Sequence, residues 1–213
     1  MLNDLNRSIN LYRRYAYWAR MGCIFVHVPK AAGTSVNKAL YGRTLGHYSA
    51  TEIHNKFPGL YKKCFTFSMV RNPWDRALSA YRFATVGRTD SMGIHDPSQY
   101  QIPQFESFER FVLEWLQSQC VEELDFVFKP QWVFVCNDTR QVMVDHLGKV
   151  ESMDRTVSVL SEKLKRKIVI GNENMTASRD EKGYCKAYVR QEMVEIVRSV
   201  YSADVEIFGY EFE

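Results

Sequence analysis

Two short stretches carry residue types suited to holding anions. The first is "VPKAAGTS", residues 28–35. Lys30 offers a mobile cation, Gly33 lets the backbone pass close to a ligand, and the hydroxyls of Thr34 and Ser35 add donors. An apolar, β-branched run (24–28) precedes it and a helical spacing (34–41) follows, so the stretch reads as strand, loop and helix start. Amides in the first turn of a helix have no partner within it, and the helix dipole favours negative charge there. The second stretch is "SMVRNPWDRALSAYRF", residues 68–83. Arg71 stands at the tip of an apolar run (64–70), Asn72 suits an N-cap and Pro73 a first helical position. Ser79 comes eight residues after Arg71, two turns into the helix, on a face near Arg76 and Arg82. Arginine presents a rigid fork to phosphate oxygens. Two such motifs at strand ends predict a ligand with two separated phosphate-like groups.

The first motif is not the triphosphate loop G-x-x-x-x-G-K-[ST]. Val28 stands in place of the first glycine, and the lysine precedes Gly33 by three residues. No strand candidate ends in an evident Mg²⁺-binding aspartate. The residues alone leave three readings open: a transferase using a different anionic donor, a P-loop nucleotide kinase or phosphotransferase, and a non-catalytic binder that keeps the fold.

Helices and strands must carry these motifs. Trp74, Leu78, Tyr81 and Thr85 form one stripe of the helix after Arg71; Phe108, Phe111, Val112, Trp115 and Leu116 mark another helix. Residues 86–104 read as a long loop, of the kind that is usually functional or mobile. "WVFVC" (132–136) and "QVMVDHL" (141–147) read as strands around the turn "NDTR", and "KIVI" (167–170) as a last short strand. Met153, Val157, Leu160 and Leu164 mark a further helix, and Val189, Met193, Ile196, Val197 and Val200 the final one. The alternation predicts a three-layer α/β fold around a central, mainly parallel sheet, with ligands at the carboxyl ends of its strands.

At 213 residues the chain is expected to form one domain with a full core. A net charge of +3 makes no demand for nucleic acid. The five cysteines are scattered and form no zinc spacing with the five histidines, which fits reduced thiols in a cytoplasmic protein and no metal. Residues 1–22 lack the apolar core of a signal peptide, and no run approaches the roughly 20 apolar residues of a membrane span. Leu5, Ile9, Tyr12 and Ala16 share a helical face, so residues 1–20 are expected to pack on the domain. Weak peripheral contact with a membrane surface is the alternative reading of this basic, aromatic helix.

"PKAAGTS" followed by "VRNPWDRALSAY" resembles the 5′-phosphosulfate and 3′-phosphate loops of sulfotransferases. The nearest likeness is to the carbohydrate group that includes heparan 2-O- and chondroitin sulfotransferases and their bacterial relatives. The likeness continues in "HYSATEI", "DHLGKVESM" and "VYSADVEIFGY", from about residue 22 to the end. It implies the P-loop-like α/β sulfotransferase fold. It also implies 3′-phosphoadenosine 5′-phosphosulfate as donor, adenosine 3′,5′-bisphosphate as product, and a carbohydrate, glycolipid or other glycoconjugate as acceptor. Lys30, Ala32, Gly33, Thr34 and Ser35 would hold the 5′-phosphosulfate, and Arg71 and Ser79 the 3′-phosphate. Arg179 and Lys182, in "SRDEKGY", would belong to a basic loop that closes over the 3′-phosphate.

Sulfuryl transfer passes a flat, electron-poor group between two oxygens roughly in line, so the protein supplies position and charge. Lys30 is the natural cation for the leaving oxygen. The acceptor must lose a proton, and histidine suits. His27 and His146 lie in strand runs and read as packed or orienting residues, while His95 lies in the long loop. His47, in "GHYSATEIH", stands where related enzymes carry a catalytic histidine and is the first candidate for the base. His54 and Glu52 remain alternatives. Trp74 is expected to pack its helix rather than stack on adenine. Lys149 and Glu151 match the family pattern without an assigned role.

Overall fold

The computed structural model describes residues 2–87, 93–94, 96–171 and 183–213, and side chains from residue 5 onward. His95, Arg179 and Lys182 lie outside the described residues. In chain order the elements begin with helices α1 (Leu2–Tyr12) and α2 (Tyr15–Met21), strand β1 (Cys23–Val26), and helices α3 (Gly33–Tyr41), α4 (Ala50–Lys56) and α5 (Pro58–Lys63). Strand β2 (Phe65–Val70) and helix α6 (Pro73–Val86) follow, then α7 (Phe108–Arg110), which continues as a π turn and a 3-10 turn to Ser118. Next come α8 (Trp132–Val135), β3 (His146–Lys149), α9 (Met153–Lys163), α10 (Gln191–Val200) and α11 (Ser202–Phe208). No helix of the described residues is long and apolar enough to cross a membrane.

The residues group into two compact units, one drawn from Met1–Val28, Ala32–Val70 and Phe134–Asn174, the other from Pro29–Ala31, Arg71–Val133 and Met175–Glu213. The first holds the sheet. Its three strands are parallel in the order β1-β2-β3, with Cys23 opposite Phe65, Phe67 opposite His146 and Val70 opposite Lys149. All four residues of β1 and the last five of β2 are buried, the near-continuous apolar signature of a parallel sheet. The expected α/β organisation around a parallel sheet is therefore present, in a small three-stranded form.

The core of the second unit is aromatic. Phe105, Phe111, Trp115 and Phe128 meet at ring separations of 5.0–6.4 Å. Phe108 and Phe111 are thus core, as their spacing implies. Trp74 is fully buried and donates from Nε1 to the Val194 carbonyl at 2.9 Å, so it packs its helix and offers no face to a ligand.

Three expected strands take other forms. "WVFVC" makes the one-turn helix α8, because the amides of Gln131 and Trp132 donate to the Asp204 carboxylate at 2.8 and 2.9 Å. That long-range cap outweighs the β-propensity of the run. "NDTR" does turn: Asn137 Oδ1 accepts from the amides of Thr139 and Gln141. The following run contributes only a bridge from Val142 to Cys136, then Asp145 turns to Thr66, taking both its amide and its hydroxyl. The strand proper therefore starts at His146. "KIVI" stays irregular, its Ile168 amide held by the Ser161 hydroxyl at 3.1 Å.

Candidate active site

The first unit presents the start of α3 and two histidines. Gly33 opens the helix at an unexceptional backbone angle, but its side-chain space is taken. A Cβ there would fall 1.8 Å from Cδ2 and 2.0 Å from Nε2 of His27. The glycine's role is thus close packing of the helix start on an imidazole. Asn37, one turn on, donates to the Gly33 carbonyl at 2.9 Å and to His27 Nδ1 at 3.2 Å. With Nδ1 accepting, neutral His27 carries its proton on Nε2. At the far end of α3 the Tyr41 hydroxyl accepts from the Phe25 amide and donates to the Cys23 carbonyl, so both ends of the helix are pinned to β1 and its extension.

His47 lies in the loop between α3 and α4, after Gly46, whose φ of 91° makes the turn. Its ring lies 4.0 Å from that of His27, and its Nδ1 is 3.0 Å from the His27 carbonyl oxygen. A carbonyl only accepts, so Nδ1 carries the proton and Nε2, itself buried, carries the lone pair. The loop is tied down by the N-terminal helices: Arg7 donates to the His47 carbonyl at 2.9 Å and Arg14 to the Leu45 carbonyl at 2.9 Å. Arg7 also grips Glu52 with two bonds of 2.6 and 2.9 Å, and Glu52 closes a capping box with Ser49 at the start of α4. Burial would raise the Glu52 carboxyl, but the bonds from Arg7 and Ser49 prevail and hold it below the usual range. Glu52 is an ionised anchor. His54 is exposed on α4, facing Asn55 and the Tyr61 ring. Of the three base candidates, His47 alone adjoins the His27–Gly33 cluster.

The second unit presents the cations. Lys30 Nζ rests 4.3 Å from the centre of the Phe83 ring. Burial, with repulsion from Arg71 and Arg76, pulls its amine from the ordinary 10.5 down to about 8. Arg71 donates from Nε to Asp75 at 2.7 Å and from Nη1 to the Lys30 carbonyl at 3.3 Å, so the two predicted cations are brought together. Ser79 is half-buried on α6. Arg76 departs from the anion-facing role its helical position suggests. It is fully buried and donates to the carbonyls of Pro29, Val127 and Lys129 at 3.0, 3.2 and 2.6 Å. It holds the residue before Lys30.

The loop backbone has an unusual pattern. Lys30 and Ala32 have left-handed φ values of 64° and 58°, while neither Ala31 nor Gly33 has a positive φ. Left-handed residues alternating with right-handed ones are the backbone pattern of anion-binding nests. Ala32 is also the N-cap of α3 and supplies no side-chain cap, so the first-turn amides have none from it. Strain of about 1–3 kcal/mol per such residue is held where a surrounding structure enforces it.

Sequence reasoning passed over Asn37, Gln131 and Asp204. Their partners are remote or main-chain groups, and no local pattern marks them. Neither a curated protein nor a solved structure matches the chain significantly. The model of the Sulfotransferase family matches residues 14–211, nearly the whole sequence and both anion motifs, so the chain belongs to the sulfotransferase family.

Proposed function

We propose that the protein moves a sulfuryl group from 3′-phosphoadenosine 5′-phosphosulfate to a hydroxyl of a carbohydrate or glycoconjugate. The observation that carries this reading is Lys30: a half-buried amine on a left-handed loop residue, two residues before Ala32, the N-cap of α3, which lends no side-chain bond to the helix start. Loop amides, a helix N-terminus and a cation are the donor set suited to a phosphosulfate. In this reading Lys30, Ala32, Gly33, Thr34 and Ser35 hold the 5′ end, and Arg71 and Ser79 hold the 3′-phosphate, with Arg179 and Lys182 assisting. Membership of the family supports this donor, and the likeness of "GHYSATEIH" to carbohydrate enzymes supports the acceptor.

The donor supplies the sulfuryl group and a phosphate as leaving group. One S–O bond forms to the acceptor oxygen while the S–O bond to the bridging phosphate oxygen breaks. His47 Nε2 takes the acceptor's proton, its tautomer set by the His27 carbonyl. Lys30 and the amides of 33–35 meet the charge that grows on the bridging oxygen. Adenosine 3′,5′-bisphosphate leaves.

A radiolabelled-donor screen over polysaccharide, glycolipid and small glycoside acceptors, with phenols and amines as further acceptors and labelled ATP as a second donor, tests the proposal. Label should pass to at least one glycan without ATP. Label transfer only to non-carbohydrate phenols or amines would overturn the acceptor class, and phosphoryl transfer from ATP would overturn the donor.

A further inference from the structure

We infer that Gln131, anchored by Asp204, is the positioning residue for Arg71 and hence for recognition of the donor's 3′-phosphate; this rests on the proposed function. Gln131 is fully buried, and its carboxamide embraces the main chain of one residue. Oε1 accepts from the Arg71 amide at 2.9 Å and Nε2 donates to the Arg71 carbonyl at 2.8 Å. Arg71 is the first residue beyond β2, where its main chain has left the ladder. The glutamine takes the place of a neighbouring strand and fixes the direction in which the guanidinium departs.

The anchor is equally buried. Asp204, on α11, accepts from the amides of Gln131 and Trp132 with its two oxygens, and Arg76 is its electrostatic partner. Arg76 in turn holds the Pro29 carbonyl. One carboxylate near the end of the chain thus underlies the frames of both predicted cations: Arg71 through Gln131, and the residue before Lys30 through Arg76. Within that frame Nε of Arg71 is turned to Asp75 and Nη1 to the Lys30 carbonyl, which orients the rest of the fork. A bidentate contact to phosphate demands such orientation.

Only a group with one donor and one acceptor meets both main-chain groups of Arg71. Methionine fills similar space with neither. A glutamate accepts from the amide but, while ionised, cannot donate to the carbonyl; protonated, it can. These differences define the test, with purified full-length protein and calorimetric titration of adenosine 3′,5′-bisphosphate and adenosine 5′-monophosphate. Gln131→Met should weaken the bisphosphate by about 10-fold or more, from two lost buried hydrogen bonds. It should change the monophosphate, which lacks the 3′-phosphate, by less than about 3-fold, and leave kcat at saturating donor within the same margin. For Gln131→Glu, the bisphosphate Kd relative to wild type should improve as pH falls and its carboxyl gains a proton. Equal bisphosphate affinity in Gln131→Met and wild type would overturn the inference. So would equal weakening of both nucleotides. Should Gln131→Met fail to fold, a Gln131→Glu ratio that stays flat with pH would overturn it. Wild type that binds neither nucleotide would instead sink the proposed function.

Discussion

Gly33 and its neighbours divide their work in an unexpected way. The left-handed angles fall on Lys30 and Ala32, while the glycine has an ordinary angle and a histidine ring where its side chain would be. Two substitutions follow with opposite signs. Ala32→Gly relieves a left-handed residue and should be neutral or stabilising by up to about 1 kcal/mol, after the added freedom of the unfolded chain. Gly33→Ala drives a methyl into His27 and should cost about 1–3 kcal/mol. Urea denaturation of the two variants ranks them, and the reverse order would contradict the packing described for His27. Lys30 carries a second prediction. Its amine titrates near 8 in the folded chain against 10.5 ordinarily. Between those values the unfolded chain holds more protons, so this group makes stability rise with pH across the window. Nucleotide binding acts in the opposite sense, because the bound anion favours the charged amine. Affinity for adenosine 3′,5′-bisphosphate should therefore fall as pH rises through about 8, with proton uptake on binding, and Lys30→Ala should flatten that fall.

Among the elements, the N-terminal helices have a task beyond covering the sheet. Through Arg7 and Arg14 they hold the 42–49 loop that carries His47. The Arg7–Glu52 pair is largely exposed, so its loss should cost at most about 1 kcal/mol of stability. In the proposed mechanism His47 is the base, and its misplacement is far more damaging to rate. Arg7→Ala should lower kcat by about 10- to 100-fold and leave bisphosphate affinity unchanged. Steady-state kinetics with a parallel titration checks this, and an unchanged kcat would remove the helices from the catalytic account. The elements also show where sequence reading works. Strands β1 and β2 and the α3 and α6 helices were legible, because buried apolar runs and cap residues act locally. "WVFVC" was not, because the carboxylate that turns it into a helix lies on α11, about 70 residues away. His47 was legible as a base candidate, yet its proton position follows from the His27 carbonyl, which only the fold brings near.

Across the whole molecule, both anion motifs stand at points where the chain passes from one compact unit to the other, at 28–32 and at 70–71. Lys30 and Arg71 belong to the aromatic unit, and Gly33 and His47 to the sheet-bearing one. The family match spans residues 14–211 and so covers both units. The class of reaction was legible through the likeness of the two anion motifs to sulfotransferase loops, since the residues alone left a kinase and a non-catalytic binder open. The central claim is that Lys30 meets the charge on the leaving oxygen. Its most direct test is single-turnover transfer from radiolabelled 3′-phosphoadenosine 5′-phosphosulfate by wild type and Lys30→Ala, with bisphosphate affinity titrated alongside at pH 7. The account predicts that the variant transfers sulfate at least about 10²–10³-fold more slowly while holding the bisphosphate within about 10-fold of wild type. Transfer at near the wild-type rate would contradict it.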